Sequence, residues 1–198
     1  MPSPPLPQSL DDLFDHAKSF AEHSMRTQGK VPQALFALSP AGPLYHIWPS
    51  MAWLPVTDPT ASEREQDSFA YNARLICTVH KATAVVVVLE ASMPSTTPGL
   101  PLNILAPPGE SPKPQEIVVL AGESRKTSEL RIFSLLHMGS VFSTFGEYFG
   151  PAEIGLLVRF AHMLPPSSVT PAMLATARAH LKMLGITPAT MRRDWSAN

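Results

Sequence analysis

TAVVVVLE, at residues 83–90, is the stretch of sequence that decides the fold. Its apolar run is unbroken and mainly β-branched, and it is too short to span a membrane, so it predicts a strand covered on both faces. The preceding residues, 62–80, carry two apolar stripes at helical spacing, which predict a helix with neighbours on two sides. We therefore expect one buried strand, preceded by one packed helix, at the centre of the core.

Local signals on either side of this stretch predict the other elements. Ser9 and Asp12 form a capping box that begins an amphipathic helix ending near Gly29. A second capping box, Ser62 with Glu65, begins the central helix. Turn-rich boundaries separate the remaining predicted elements, which are strands at 32–38, 44–48, 115–121, 129–137 and 141–148 and a helix at 151–164.

The last predicted helix has clear signals at both ends. Thr170 is its cap, Pro171 occupies its first position and Gly185 its stop position, which is the usual asymmetry of proline at the start and glycine at the end. Its apolar stripe consists of Met173, Leu174, Ala177, Leu181 and Leu184.

The elements follow the order α-ββ-α-β-βββ-α-α, which predicts an α+β fold with a mainly antiparallel sheet and helices packed on its faces. We expect a disordered leader over residues 1–8, a single domain over 9–186 and a polar tail over 187–198. The connection at 93–114 contains seven prolines. A connection of this length inside a compact domain is usually functional or mobile.

Composition excludes several classes of function. The chain has 198 residues and a net charge of −1, so it offers no strong field for nucleic acid or an anionic membrane. Its single cysteine, Cys77, cannot form an internal disulfide, which favours a reducing compartment. The first residues lack the pattern of a signal peptide, and no apolar stretch is long enough to cross a bilayer. We therefore expect a cytoplasmic protein that binds neither membranes nor nucleic acid.

Acidic residues recur at the ends of predicted strands. Glu90, Glu123 and Glu147 are the candidates for a shared site, with His80 or His137 as helper. Converging carboxylates bind divalent metals or divide acid and base roles, so this set defines an alternative function as a metal-assisted hydrolase or nuclease. Acidic residues also occur at strand ends simply because strand ends meet solvent. The spacing of these residues matches no metal or nuclease motif.

The histidines and the cysteine match no known motif for metal binding or catalysis. The chain has seven histidines but no His-x-x-x-His, no His-Glu-x-x-His and no cysteine pair, so no metal or cofactor is expected. Cys77 and His80 lie three residues apart on one helix face, as a nucleophile and its base would. Both fall on the apolar stripe, which favours core packing over catalysis.

Large apolar side chains in a proline-flanked loop are the best candidates for an interaction site. Trp48, Met51 and Trp53 lie in or beside the loop between the second strand and the central helix. Such side chains either fill a gap in the core or form a contact surface for a partner. We take them as candidate partner-binding residues and keep the core-filling explanation open.

Three stretches in the middle of the chain, RLICTVH at 74–80, AVVVVLEAS at 84–92 and VVLAGES at 118–124, resemble a group of small uncharacterised bacterial proteins. The resemblance covers about half of the chain and implies a bacterial cytosolic protein. No activity is assigned to that group, so the resemblance implies no site residue.

The leading hypothesis from the sequence is a non-enzymatic domain that binds a protein partner or a second copy of itself. The absence of a catalytic signature, the near-zero charge and the loop tryptophans favour it. The alternatives are the hydrolase described above and a small-molecule sensor in which the 93–114 loop acts as a lid.

Overall fold

The computed structural model describes residues 6–48, 59–93, 115–138, 142–147 and 159–187. These residues form one six-stranded antiparallel sheet with helices packed against it, so the predicted α+β class is confirmed. The helices are α1 (Leu10–Gln28), α2 (Pro59–His80) and α3 (Pro171–Met183). The strands are β1 (Ala34–Ser39), β2 (Gly42–Ile47), β3 (Ala84–Met93), β4 (Gln115–Ser124), β5 (Ser128–Met138) and β6 (Phe142–Glu147).

The strands lie in the order β2-β1-β3-β4-β5-β6, with every neighbouring pair antiparallel. Strand β3 lies inside the sheet, where Val88 is opposite Ala34 of β1 and Leu120 of β4. The five residues from Val85 to Leu89 have no solvent exposure. The predicted strand with two covered faces is therefore confirmed, because both of its side-chain rows are buried.

Alternate residues of β3 contribute to two separate apolar cores. On one face Val86 and Val88 pack with the apolar side of α1, including Phe14 and Phe20. On the other face Val85, Val87 and Leu89 pack with α2 and α3. The two stripes predicted for α2 are explained by this arrangement, because α2 contacts the sheet on one side and α3 on another.

The ends of α1 and α3 agree with their sequence signals. The Ser9–Asp12 capping box is present, and Gly29 ends α1 in the left-handed conformation. The Thr170 side chain caps α3, and Gly185 follows it with φ +71°. The N–H of Ile186 donates to the carbonyl of Leu181 at 2.8 Å, which together with the bond from Gly185 to Lys182 makes a Schellman stop.

The bounds of two predicted helices are wrong. Helix α2 begins at Pro59, not Ser62, because proline is well suited to the first turn of a helix. Residues 151–158 of the predicted 151–164 helix lie outside the described residues, and from Phe160 onward the backbone is irregular. His162 takes a left-handed φ of +55°, and side chains of α2 and β4 hydrogen-bond the backbone around it.

Some expectations fall on residues that the structure does not describe. These are most of the 93–114 connection, residues 1–5 of the predicted leader and residues 188–198 of the predicted tail. Within the five described ranges, none of the helices combines the length and apolar character needed to cross a bilayer.

Candidate functional site

Glu90 and Glu123 lie on opposite faces of the sheet. Along β3, Glu90 falls in the row of Val86 and Val88, on the α1 face, and its carboxylate accepts the Val31 N–H at 2.9 Å. Along β4, Glu123 falls in the row of Val119 and Ala121, on the α2 face. The structure does not bring these two carboxylates together.

The strand register separates the candidate carboxylates further. Glu123 is opposite Val85, five residues along β3 from Glu90, so the two positions are roughly 17 Å apart along the strand direction. The backbone of Glu147 in β6 is opposite Phe133, which is itself opposite Val118, the partner of Glu90. That row places Glu147 three strand spacings, roughly 14 Å, from Glu90. Its side chain lies outside the described part of the chain.

The histidine and cysteine candidates do not form a reactive site among the described residues. His80 ends α2 and is half-buried, while only the backbone of His137 is described, in β5. Cys77 is fully buried. Within the described ranges, no group of three or more His, Cys, Asp or Glu side chains is arranged to hold a metal ion.

Burial raises the pKa of the Cys77 thiol, and the nearby negative charge of Glu123 raises this pKa further. A group whose pKa is raised in the folded state stabilises the fold below its unfolded pKa and loses that contribution as pH rises. We expect the unfolding free energy of the wild type to fall above about pH 9. Above that pH, the unfolding free energy of the wild type should fall more steeply than that of Cys77→Ala, by about 1.4 kcal/mol per pH unit. Urea denaturation of both proteins between pH 7 and 10 measures it, and parallel curves would contradict the assignment.

Trp48 packs against the core. Its ring makes edge contacts with His46 at 4.4 Å and with Phe69 at 4.8 Å between centroids. It is half-buried at the edge of the cluster formed by α2 and β3. These contacts support the core-filling explanation for Trp48. Met51 and Trp53, the other two candidate partner-binding residues, lie outside the described residues.

Three side chains, from α2, β4 and the turn after β4, hold the segment 159–165 through its backbone. The Arg74 guanidinium donates to the carbonyls of Arg159 at 2.6 Å and Ala161 at 3.1 Å. Glu123 accepts the Met163 N–H at 2.8 Å, and Arg125 donates to the Pro165 carbonyl at 2.6 Å. The segment places Phe160, Met163 and Leu164 in the core, so these charged groups have a structural role.

The solvent side of α3 is mainly apolar. The helix buries only Ala177 and Leu181. Large apolar side chains remain exposed on α3, at its C-cap and on the adjacent α2, namely Tyr71 (46%), Met173 (40%), Met183 (82%) and Leu184 (53%). We call these four residues, together with exposed Ala172, Ala175 and Ala179, the α2–α3 surface.

Helical geometry and one hydrogen bond place Met173, Leu184 and Tyr71 on the same side of α3. Met173, His180 and Leu184 are seven and four residues apart, so they lie within about 40° of each other around the helix. The Tyr71 hydroxyl is 2.8 Å from Nδ1 of His180, which brings Tyr71 to this side of α3. The predicted apolar stripe of α3 included Met173 and Leu184, but the fold leaves both exposed.

The α2–α3 surface was not predicted from the sequence. The signal was present in α3 itself, PAMLATARAHLKM, which has alanine and methionine where a solvated helix normally carries charged residues.

Comparison of the chain with protein-family models, with curated proteins and with solved structures found no significant match.

Proposed function

We propose that this protein is a non-enzymatic domain that acts by binding a protein partner or a second copy of itself, as an accessory factor. The observation that carries the proposal is the exposure of Tyr71, Met173, Met183 and Leu184 on one layer of the fold. Contiguous exposed apolar side chains on a folded domain are characteristic of contact surfaces. Met is suited to this use because its flexible side chain adapts to the shape of a partner.

The roles of the described acidic and thiol groups support the proposal. Glu90 and Glu123 each accept a backbone N–H, and Cys77 lies in the core with a raised pKa. The metal-assisted hydrolase requires carboxylates that converge, and Glu90 and Glu123 lie on different faces of the sheet. This separation favours the binding function over the hydrolase.

We also propose a bacterial cytoplasmic setting. Its support is the resemblance of residues 74–80, 84–92 and 118–124 to small bacterial proteins, together with a single buried cysteine. A lone reduced thiol is compatible with a reducing compartment.

Native mass spectrometry of the tagged full-length protein, purified gently from a bacterial host, tests the proposed function. We expect a homo-oligomer or a complex with a second protein, with no additional small mass, because the exposed apolar surface gains from being covered. A strictly monomeric protein without a bound partner would contradict the proposal. So would a monomer that carries a metal ion or a small molecule.

A further inference from the structure

The charge of the chain around α3 has a single sign. From residue 159 to residue 187 the sequence contains Arg159, Arg178 and Lys182 and no Asp or Glu. Arg159 forms an ion pair with Asp67 of α2 at 2.8 Å, whereas Arg178 and Lys182 are exposed on α3. The exposed residues of α3 itself are therefore mainly apolar or cationic, and none of them is acidic.

The apolar and cationic residues of α3 occupy different strips. On a helix of 3.6 residues per turn, exposed Ala175, Ala179 and Met183 follow one another at spacings of four and form a central apolar strip. Arg178 and Lys182 lie along one edge of this strip, roughly 60° to 100° around the helix from Ala179. A partner that covers the strip gains most if it places negative charge along that one edge.

We propose, on the basis of the function proposed above, that α3 binds an acidic amphipathic helix of a partner protein. Its apolar seam packs on Ala175, Ala179 and Met183, and its carboxylates lie beside Arg178 and Lys182. Helix α3 has 13 residues and is roughly 20 Å long, which matches about three to four turns of a partner helix.

Two other occupants fit these observations less well. Within the described ranges a second copy offers no free acidic helix, because the acidic helix α1 buries its apolar side against its own sheet. An antiparallel pairing of two α3 helices would bring cations of like sign to the same interface. Segments that bind anionic lipid carry clusters of about four to eight basic residues, and α3 offers two exposed ones, Arg178 and Lys182.

The test uses the full-length protein and two synthetic helical probes of about 18 residues, a length of roughly 27 Å. Both have an identical leucine seam and a fluorophore, and one carries Glu where the other carries Lys along one edge. Fluorescence anisotropy should show the Glu peptide binding at least about tenfold more tightly than the Lys peptide. The preference should weaken when salt rises from about 50 to about 500 mM, because exposed charges are screened.

Matched variants locate the binding site. Arg178→Glu with Lys182→Glu should weaken binding of the Glu peptide at least about tenfold. The control, Lys18→Glu with Arg26→Glu on α1, makes the same change in net charge on the other face of the sheet and should leave binding unchanged. Met183→Ser should weaken binding of both peptides, because it removes apolar contact and not charge.

Several outcomes would overturn the inference. The first is equal affinity for the two peptides, and the second is no binding of the Glu peptide below roughly 100 µM. The third is a loss of affinity in the α1 control as large as that in Arg178→Glu with Lys182→Glu. Binding to phosphatidylglycerol vesicles through Arg178 and Lys182, without peptide binding, would assign the surface to a membrane instead. A dimer that Met183→Ser dissociates would assign it to a second copy.

The two proposals fail in different ways. In one result, the partner complex persists both in Arg178→Glu with Lys182→Glu and in Met183→Ser. That result would be compatible with the proposed function and would overturn the assignment of the binding site to α3. A protein that is monomeric and partnerless in native mass spectrometry, and that binds neither peptide, contradicts both.

Discussion

Replacing Gly122 with alanine will destabilise the fold by about 2 kcal/mol, because the added methyl group overpacks the core. A Cβ at Gly122 would lie 2.6 Å from Cε2 of Phe14 and closer still to its Cζ. Movement of the ring would disturb its packing, since Phe14 is fully buried and the Arg131 guanidinium lies 4.0 Å from its centroid. Urea denaturation at neutral pH measures the change in unfolding free energy.

Phe14→Leu provides the control for this contact. The smaller side chain makes room for the new methyl group, so Gly122→Ala should cost less in the Phe14→Leu background than in the wild type. A coupling free energy of about 1 kcal/mol or more in this double-mutant cycle is expected for residues in direct contact. If Gly122→Ala is as stable as the wild type, or more stable, the close packing of α1 on β4 is contradicted.

Replacing Arg74 with alanine will cost about 2–3 kcal/mol, because two backbone carbonyls lose a charged donor. These are the carbonyls of Arg159 and Ala161, in the segment that carries Phe160 and Met163 into the core. We expect a lower unfolding free energy in urea and faster trypsin cleavage after Arg159. Faster cleavage after Arg159 indicates local release of the segment. A loss of global stability alone would not favour cleavage at that one bond.

Arg74→Lys is the conservative control. Lysine keeps the charge but lacks the planar fork with which arginine bonds two carbonyls at once, so it should retain only part of the stability. Two results would contradict the role assigned to Arg74: wild-type stability and cleavage in Arg74→Ala, or identical losses in both variants.

Most elements specified by local sequence were predictable, although the Ser62–Glu65 capping box is not the start of α2. The Ser9–Asp12 capping box, the proline and glycine at the ends of α3 and the buried run of β3 depend on neighbours in the chain, and the structure contains all of them. The class of fold follows from the order of such elements.

Features that depend on distant residues were not predictable. The helix predicted at 151–164 does not continue over 160–164, where Arg74 and Glu123 hydrogen-bond the backbone from positions that are distant in sequence. The carboxylates of Glu90 and Glu123 could not be separated before the register was known, because a strand end does not show which face a side chain takes.

The α2–α3 surface was missed for a related reason. Periodicity shows which residues share a side of a helix, but it does not show how much of that side the fold covers. Met173 and Leu184 belong to the apolar stripe of α3, yet the fold buries only Ala177 and Leu181 of that helix. Trp48 shows the opposite outcome, since the fold provides Phe69 and His46 to pack against it.

Native mass spectrometry of wild type, Met183→Ser and Leu6→Ser, purified in parallel, tests the central claim most directly. Both variants remove one exposed apolar side chain, since Met183 is 82% and Leu6 is 55% exposed, but only Met183 belongs to the α2–α3 surface. We predict that the wild type and Leu6→Ser retain the same oligomer or partner and that Met183→Ser loses it. Equal retention in all three proteins, or a wild type that is monomeric and without a partner, would contradict the claim that this surface carries the function.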